Sequence, residues 1–195
     1  MLRPVLVTAP ATPLASLAEI KAQTRVETAV TDDDTLLPAL IQAATDHLDG
    51  WAGILGRCLI TQVWRQDFYR WNDVLRLPFP DVQSVVVTYH DADDTEQTVS
   101  AGLYELSEDA RGSVVCFRDA FTSPSLYSDR SDPVKIAMTV GYGDDTTDVP
   151  QAIRHAAMML AAHWYENREA VAEGSPVPVP MTVDALTAPY RRNRI

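Results

Sequence analysis

Residues 149–171, VPQAIRHAAMMLAAHWYENREAV, constrain the fold more than any other stretch of this chain. Ile153, Ala156, Ala157, Leu160, Ala161 and Trp164 recur at i, i+3, i+4 and i+7 spacing, which predicts a helix with one apolar face. Met158, Met159 and Ala162 widen that face until the middle of the helix is apolar nearly all round. Such a helix has to be covered on more than one side, by its own domain and by a further element or subunit. Met158, Met159 and Ala162 are therefore the candidate oligomer contacts. Pro150 suits the first turn, where its missing N–H is not needed. Asp144, Asp145 and Asp148 lie just ahead, where the helix dipole favours anions.

Two shorter helices are predicted upstream. Ser16 and Glu19 form the S-x-x-E capping box of a helix over roughly 16–26, with Leu17, Ile20 and Thr24 on one face. A second helix, capped at Thr35, is expected to run to about Leu55 with Leu37, Leu40, Ile41, Ala44, Leu48, Trp51 and Leu55 as its stripe. Pro38 then falls in its first turn. Asp32, Asp33 and Asp34 read as an acidic helix start, because consecutive carboxylates do not converge on one ion without a looped backbone. Residues 1–14, punctuated by Pro4, Pro10 and Pro13, read as an extended arm.

Between the helical blocks the period changes to two. Alternation over 60–68, 82–90 and 134–140, with shorter runs at 74–77, 95–100, 103–106 and 113–117, predicts about six or seven short strands. The acidic runs at 91–94 and 109–112 read as hairpin turns. Helices segregated from strands predict an α+β fold: two N-terminal helices, a central antiparallel β region, a long apolar C-terminal helix and an extended C-terminal arm. Residues 118–133 form a polar loop long enough to be functional or disordered.

Residues 1–173 read as one domain, 174–181 as a linker and 182–195 as a tail. Alternating Pro176, Pro178 and Pro180 favour an extended conformation at about 3.1 Å per residue, which would hold the tail about 20 Å away. The tail is short but has apolar anchors, Val183, Leu186 and Tyr190, beside Pro189 and the basic Arg191, Arg192 and Arg194. A disordered end needs no anchors, so the tail reads as a docking peptide.

The search for chemistry excludes more than it finds. A net charge of −11, with only two lysines, Lys21 and Lys135, argues against a nucleic-acid-binding surface. Two cysteines, Cys58 and Cys116, are too few for a disulfide framework or a Cys-based metal site. There is no Gly-rich phosphate loop, nucleophile elbow or H-E-x-x-H pattern. His47, His90, His155 and His163 form no metal-ligand spacing, so no metal, cofactor or catalytic group is expected. No apolar run approaches the ~18 residues needed to span a bilayer. The prolines near the start break any signal-peptide helix, and the chain reads as soluble and intracellular.

One passage is nonetheless familiar. VKIAMTVGYGDDTTDVPQAIRHAAMMLAAHWYENREA resembles the signature of the phage head–tail connector, or adaptor, family, which also occurs in gene transfer agents. The matching residues are Gly141, Tyr142 and Gly143, then Val149, Pro150, Ile153, Ala156 and Leu160, and finally Tyr165, Glu166 and Arg168. The ending LTAPYRR also fits, through Leu186, Pro189, Tyr190 and Arg191, as does LLPALIQAATDHLDGWAG near the start. Residues 118–133 have no counterpart in this pattern.

The resemblance implies a structural virion protein made in the host cytoplasm and placed in the neck. Such adaptors form a homo-oligomeric ring, usually twelve-fold, between the portal and the next neck component, or stopper, with a channel through which DNA passes without sequence-specific binding. It also implies that the C-terminal segment, Val183, Leu186, Pro189, Tyr190, Arg191, Arg192 and Arg194 here, grips the portal. An acidic wall suits a DNA channel because it does not trap phosphate. Another neck or tail component, such as a stopper or tail-completion protein, is the alternative, though such proteins lack two helical blocks. A small enzyme is the remote one, since the sequence offers no convergent titratable set.

Overall fold

The computed structural model describes residues 2–168 and 181–192. Of the expected linker at 174–181 only Met181 is described, and Arg194 lies outside the described residues. Contacts divide the chain into two discontinuous units. One comprises residues 1–10, 61–142 and 193–195; the other comprises 11–60 and 143–192. The described part of the expected tail falls in the second unit.

The regular structure among the described residues of the first unit is strands, apart from one 3-10 turn, Ala101–Leu103. Among the described residues its strands are β1 (Val5–Thr8), β2 (Gln62–Phe68), β3 (Val74–Arg76), β4 (Val82–His90), β5 (Glu96–Thr98), β6 (Tyr104–Asp109), β7 (Gly112–Phe117) and β8 (Val134–Val140). A five-stranded antiparallel sheet has the order β1-β2-β8-β4-β5 and a three-stranded one the order β3-β7-β6. β8 is central because both its neighbours pair along its whole length, Met138 facing Trp64 on one side and Val85 on the other. Its burial alternates as its sequence does: Val134, Ile136, Met138 and Val140 are buried and the residues between are not.

The two hairpins follow from local chemistry. In the β4–β5 turn, Asp91 Oδ1 accepts the N–H groups of Asp93 and Thr95, at 3.1 and 3.0 Å. This is a side chain standing in for backbone in a tight turn. In the β6–β7 turn, Asp109 pairs with Gly112, whose φ of 113° only glycine adopts readily. The unexpected strand is β1. It lies in the segment read as an extended arm and pairs with β2, Val5 facing Arg65 and Leu6 facing Trp64. Pro4 is tolerated because β1 is an edge strand that begins beside it.

The second unit is helical: α1 (Leu17–Thr24), α2 (Leu36–Leu48), α3 (Gln151–Glu166) and α4 (Met181–Thr187). The capping box of α1 forms as its sequence demands, with Glu19 Oε2 accepting from Ser16 N at 2.8 Å and Glu19 N donating to Ser16 Oγ at 3.3 Å. α2 starts after Thr35 but stops at Leu48, not Leu55. Gly50 takes a left-handed φ of 72° there, and Asp49 turns its carboxylate back to Leu59 N at 2.6 Å. A Cβ on Gly53 would collide with the backbone of Leu48 and Asp49. Trp51 and Leu55 therefore belong to the turn, not to the helix stripe.

The long apolar C-terminal helix of the sequence reading is corrected in two ways. α3 ends at Glu166, with Asn167 as its C-cap, and Pro150 is its N-cap rather than part of its first turn. The last helix of the chain is the short α4, inside the segment read as an extended arm. A turn over Thr146–Asp148, closed by Asp145 and Asp148 capping each other, precedes α3. Around α3 the core is Ile20, Leu37, Ile41, Ala44, Leu48, Ile153, Ala156, Ala157, Leu160, Ala161 and Val183, all buried. Each fully buried Leu or Ile there contributes about 1.5–3 kcal/mol of transfer free energy.

Candidate partner-docking site

The C-terminal segment was the sequence's candidate for docking, and α4 sets its geometry. Val183, Leu186, Thr187 and Tyr190 fall at i, i+3, i+4 and i+7, which makes the segment amphipathic. Val183 is 1% exposed and Thr187 is fully buried, with its hydroxyl bonded to Val183 O at 2.8 Å. α4 packs against α3, and Arg192 N donates to Leu55 O at 2.9 Å. The segment thus lies on its own helical unit rather than away from it. Val183, one of the expected docking residues, is buried where α4 packs on α3.

The outer side of the segment keeps the remaining candidates. Leu186, Tyr190 and Arg192 are half-buried, and Pro189 and Arg191 are exposed. Pro189 sits in a 3-10 turn, Ala188–Tyr190, that continues α4. Arg191 reaches back to Asp184, Nη2 to Oδ1 at 2.5 Å. Both ends of that pair are solvent-exposed, so it orients Arg191 more than it stabilises the fold.

The apolar girth of α3 also has an explanation within the chain. α1, α2 and α4 all pack on it. Met158 and Ala162 are each 9% exposed, so their apolarity needs no neighbouring subunit; Met159 is half-buried. The polar end of α3 is tied down as well. Tyr165 OH donates to Asp33 Oδ2 at 2.6 Å, and Arg168 Nη2 lies 3.3 Å from the same carboxylate. Hydrogen bonding to Asp33 raises the Tyr165 phenol above its ordinary value. The acidic run at 32–34 is therefore a bracket: Asp34 pairs with Lys21, and Asp33 holds the end of α3.

The loop at 118–133, open in the sequence reading, is held at both ends. Trp71 Nε1 donates to Pro124 O at 3.0 Å, and Trp71 meets Tyr89, Phe117 and Phe121 edge-on. Phe117 and Phe121 stack at 4.2 Å. A groove of about 470 Å³ runs beside them, lined also by Asp73 and Arg118. At the other end Arg130 Nε bonds Asp94 Oδ1 at 2.5 Å, and this holds the Asp94 carboxyl below its ordinary range. Aromatic residues spaced far apart in sequence gave no sign of this cluster.

His47 and His155 are exposed, and His163 is half-buried. His90 is buried, with Nδ1 3.0 Å from Asp94 Oδ1. Among the described residues, no three His, Cys, Asp or Glu side chains come together in a way that could hold a metal ion. Nor is any described helix long and apolar enough to cross a membrane.

No protein-family model matches the chain, and no curated protein does. Solved structures do. A chain in the neck of an empty gene transfer agent particle, computed with C6 symmetry, is 26% identical at a TM-score of 0.80, covering 100% of this chain and 97% of its own. A chain of the virion of a native gene transfer agent particle is 24% identical at a TM-score of 0.76, with 100% and 97% covered. A third, from the neck of a native particle computed with C12 symmetry, is 23% identical at 0.68, with 97% of each covered. The resemblance to the head–tail connector family carried by Gly141, Tyr165 and their neighbours thus extends to the fold of the whole chain, which is similar to that of neck components of gene transfer agent particles.

Proposed function

We propose that this chain is a structural protein of the neck of a phage-like or gene-transfer-agent particle, and that it is the head–tail adaptor. In this reading copies form a ring beneath the portal, join it to the next neck component and leave a channel for DNA. The observation that carries it is the full-length likeness to a neck chain at a TM-score of 0.80. The symmetry applied to the matched necks, C6 and C12, supports a ring. The net charge of −11 supports a wall that lets DNA slide past.

The portal-facing surface is the outer side of α4 and the turn after it. Leu186, Pro189 and Tyr190 supply the apolar contact and Arg191 and Arg192 the charge, with Arg194 beyond them. Aromatic and arginine side chains of this kind dominate docking energetics. Met159 is the candidate subunit contact on α3. Removing the gene from the producing element tests the reading. The expected result is DNA-filled heads and separate tails, with joining restored by complementation. Joined particles of normal neck composition, or a labelled protein found away from the neck, would refute it.

A further inference from the structure

β4 ends on a buried histidine whose two ring nitrogens are both engaged. His90 is 8% exposed. Its Nδ1 lies 3.0 Å from Asp94 Oδ1 and 3.3 Å from Asp94 O, two acceptors. Nδ1 therefore carries the proton of the neutral ring. Nε2 then keeps its lone pair, and the Lys135 ammonium on β8 donates to it at 3.4 Å. A neutral imidazole in this tautomer satisfies both contacts. A second proton has only Nε2 to go to, where it meets a cation that can donate but not accept.

The same residue holds the second half of the loop at 118–133. Tyr127 N donates to His90 O at 3.2 Å, and His90 N to Pro133 O at 2.8 Å. Arg130 lies between these two points, and its Nε bonds Asp94 Oδ1, the oxygen that His90 Nδ1 also faces. Arg130 Nη1 is 3.6 Å from Asp132 Oδ1, and Lys135 Nζ is 3.8 Å from Asp132 Oδ2. The charged groups around the ring are thus Asp94 on the turn, Lys135 on β8, and Arg130 and Asp132 on the loop. The charge of His90 reaches Asp91 on the turn as well. Glu96 on β5 is the register partner of His90, and Arg65 on β2 interacts with both Glu96 and Asp132. With the ring neutral, Asp94 and Asp132 are matched by Lys135 and Arg130.

We propose that His90 is a proton-operated latch, and that a proton on Nε2 releases Arg130 and opens residues 127–132 in mild acid. The steps follow from the contacts. Two donors of like charge repel across the 3.4 Å gap, so Lys135 leaves Nε2 and moves to Asp132. The imidazolium takes Asp94 Oδ1 through a charge-assisted bond, in competition with Arg130. Arg130 loses ground at both carboxylates at once, and its side chain is an anchor of the segment between Tyr127 and Pro133. The first half of the loop keeps Trp71, whose Nε1 bonds Pro124 O at 3.0 Å, and does not respond. Asp91 and Glu96 offset the added charge, which confines the change to the loop and leaves the sheet folded. The latch goes beyond the neck reading and stands whether or not that reading holds.

The test is nuclear magnetic resonance on the full-length chain. Imidazoles gain their proton near about pH 6.5, so spectra at about pH 7.5 and about pH 5.5 bracket the change. The protection factor of the Tyr127 amide, taken against its intrinsic exchange rate at each pH, should fall about tenfold or more, while that of Met138 in β8 stays constant. His90→Gln supplies a donor and an acceptor that do not titrate, and should hold Tyr127 protection constant across the range. Arg130→Met removes the anchor and should leave Tyr127 poorly protected at both pH values. In the unmodified chain the Tyr127 change and the His90 Cε1–H shift should share one midpoint, a reading that needs no variant to fold. Four results would each overturn the inference. These are Tyr127 protection that ignores pH, a midpoint about one pH unit or more from that of His90, an equal change in folded His90→Gln, and full protection in Arg130→Met at about pH 7.5.

Discussion

Glu19→Ala removes two supports of the helical unit at once. Glu19 Oε2 accepts Ser16 N and Ser16 Oγ, both at 2.8 Å, and Oε1 accepts Arg154 Nη2 at 2.6 Å. The first pair is half of a capping box and contributes about 0.5–1 kcal/mol. The second neutralises Arg154, which is only 8% exposed and whose Nε has no partner among the described residues. Breaking a fully buried pair costs about 3–5 kcal/mol. The Glu19 side chain is 40% exposed, so solvent screening reduces that to about 1–2 kcal/mol. Gln151 still accepts from Arg154 Nη1 at 3.2 Å and softens the loss further. The sum is about 1.5–3 kcal/mol, a fall in Tm of about 3–12 °C for a chain of this length. Thermal unfolding followed by circular dichroism reads it, with Arg154→Met as the second arm of a double-mutant cycle. In the Arg154→Met background the charge is gone, and Glu19→Ala should cost only the cap, about 1 kcal/mol. An undiminished cost in that background, or a Tm shift under about 1 °C in the parent, would refute the reasoning.

Acid should destabilise the fold in a definite window. Backbone N–H donors hold Glu19 (from Ser16), Asp91 (from Thr95) and Asp145 (from Thr147) below the ordinary carboxylate range, and Arg130 does so for Asp94. Because their folded values are depressed, the stability they add is complete above the unfolded value near 4 and is lost as pH falls through the folded values. A Tm measured against pH should be flat from 7 to about 5 and fall below about 4; a fall that begins near pH 6 would contradict this assignment. Gly53→Ala should destabilise by about 1–3 kcal/mol in urea unfolding, because its Cβ meets the carbonyls of Leu48 and Asp49. Leu186→Ala with Tyr190→Ala should lower attachment of the protein to DNA-filled heads at any salt, while Arg191→Glu should lower it most at low salt, where screening is least. Sedimentation of heads with labelled protein measures both, and normal occupancy of the double variant would end the docking role for this surface. Deleting 182–195 is a poorer test, since it also uncovers the face of α3 that Val183 covers.

Much of the helical unit was readable from short-range signals. The Ser16–Glu19 box, the stripe of α3 and the acidic turn before it each involve residues within about one or two helical turns of each other. The period-two runs at 82–90 and 134–140 likewise announced β4 and β8. Legibility stopped where two stretches satisfy the same local rule. Residues 5–8 and 181–187 are apolar-patterned segments beside prolines, and local rules allow each to be an arm or an element. A partner decided each case: β2 made β1 a strand, and α3 made α4 a helix.

The candidate docking surface shows the same division. Its residues were visible as an anchored, basic end, yet which side of it faces outward was not. Leu186, Thr187 and Val183 are equally plausible anchors by composition; only packing on α3 buries Val183 and Thr187 and leaves Leu186 half-covered. By itself the sequence determined the α+β class, the caps that start α1 and α2, the hairpin turns and the family resemblance, because caps, periods and turns are settled by neighbours a few residues away. The strand order β1-β2-β8-β4-β5, the Trp71 cluster that orders the loop at 118–133 and the seat of α4 were decided only by tertiary structure. Each of these joins residues tens of positions apart, and which distant surface buries the most apolar area is a property of the assembled fold rather than of any one segment.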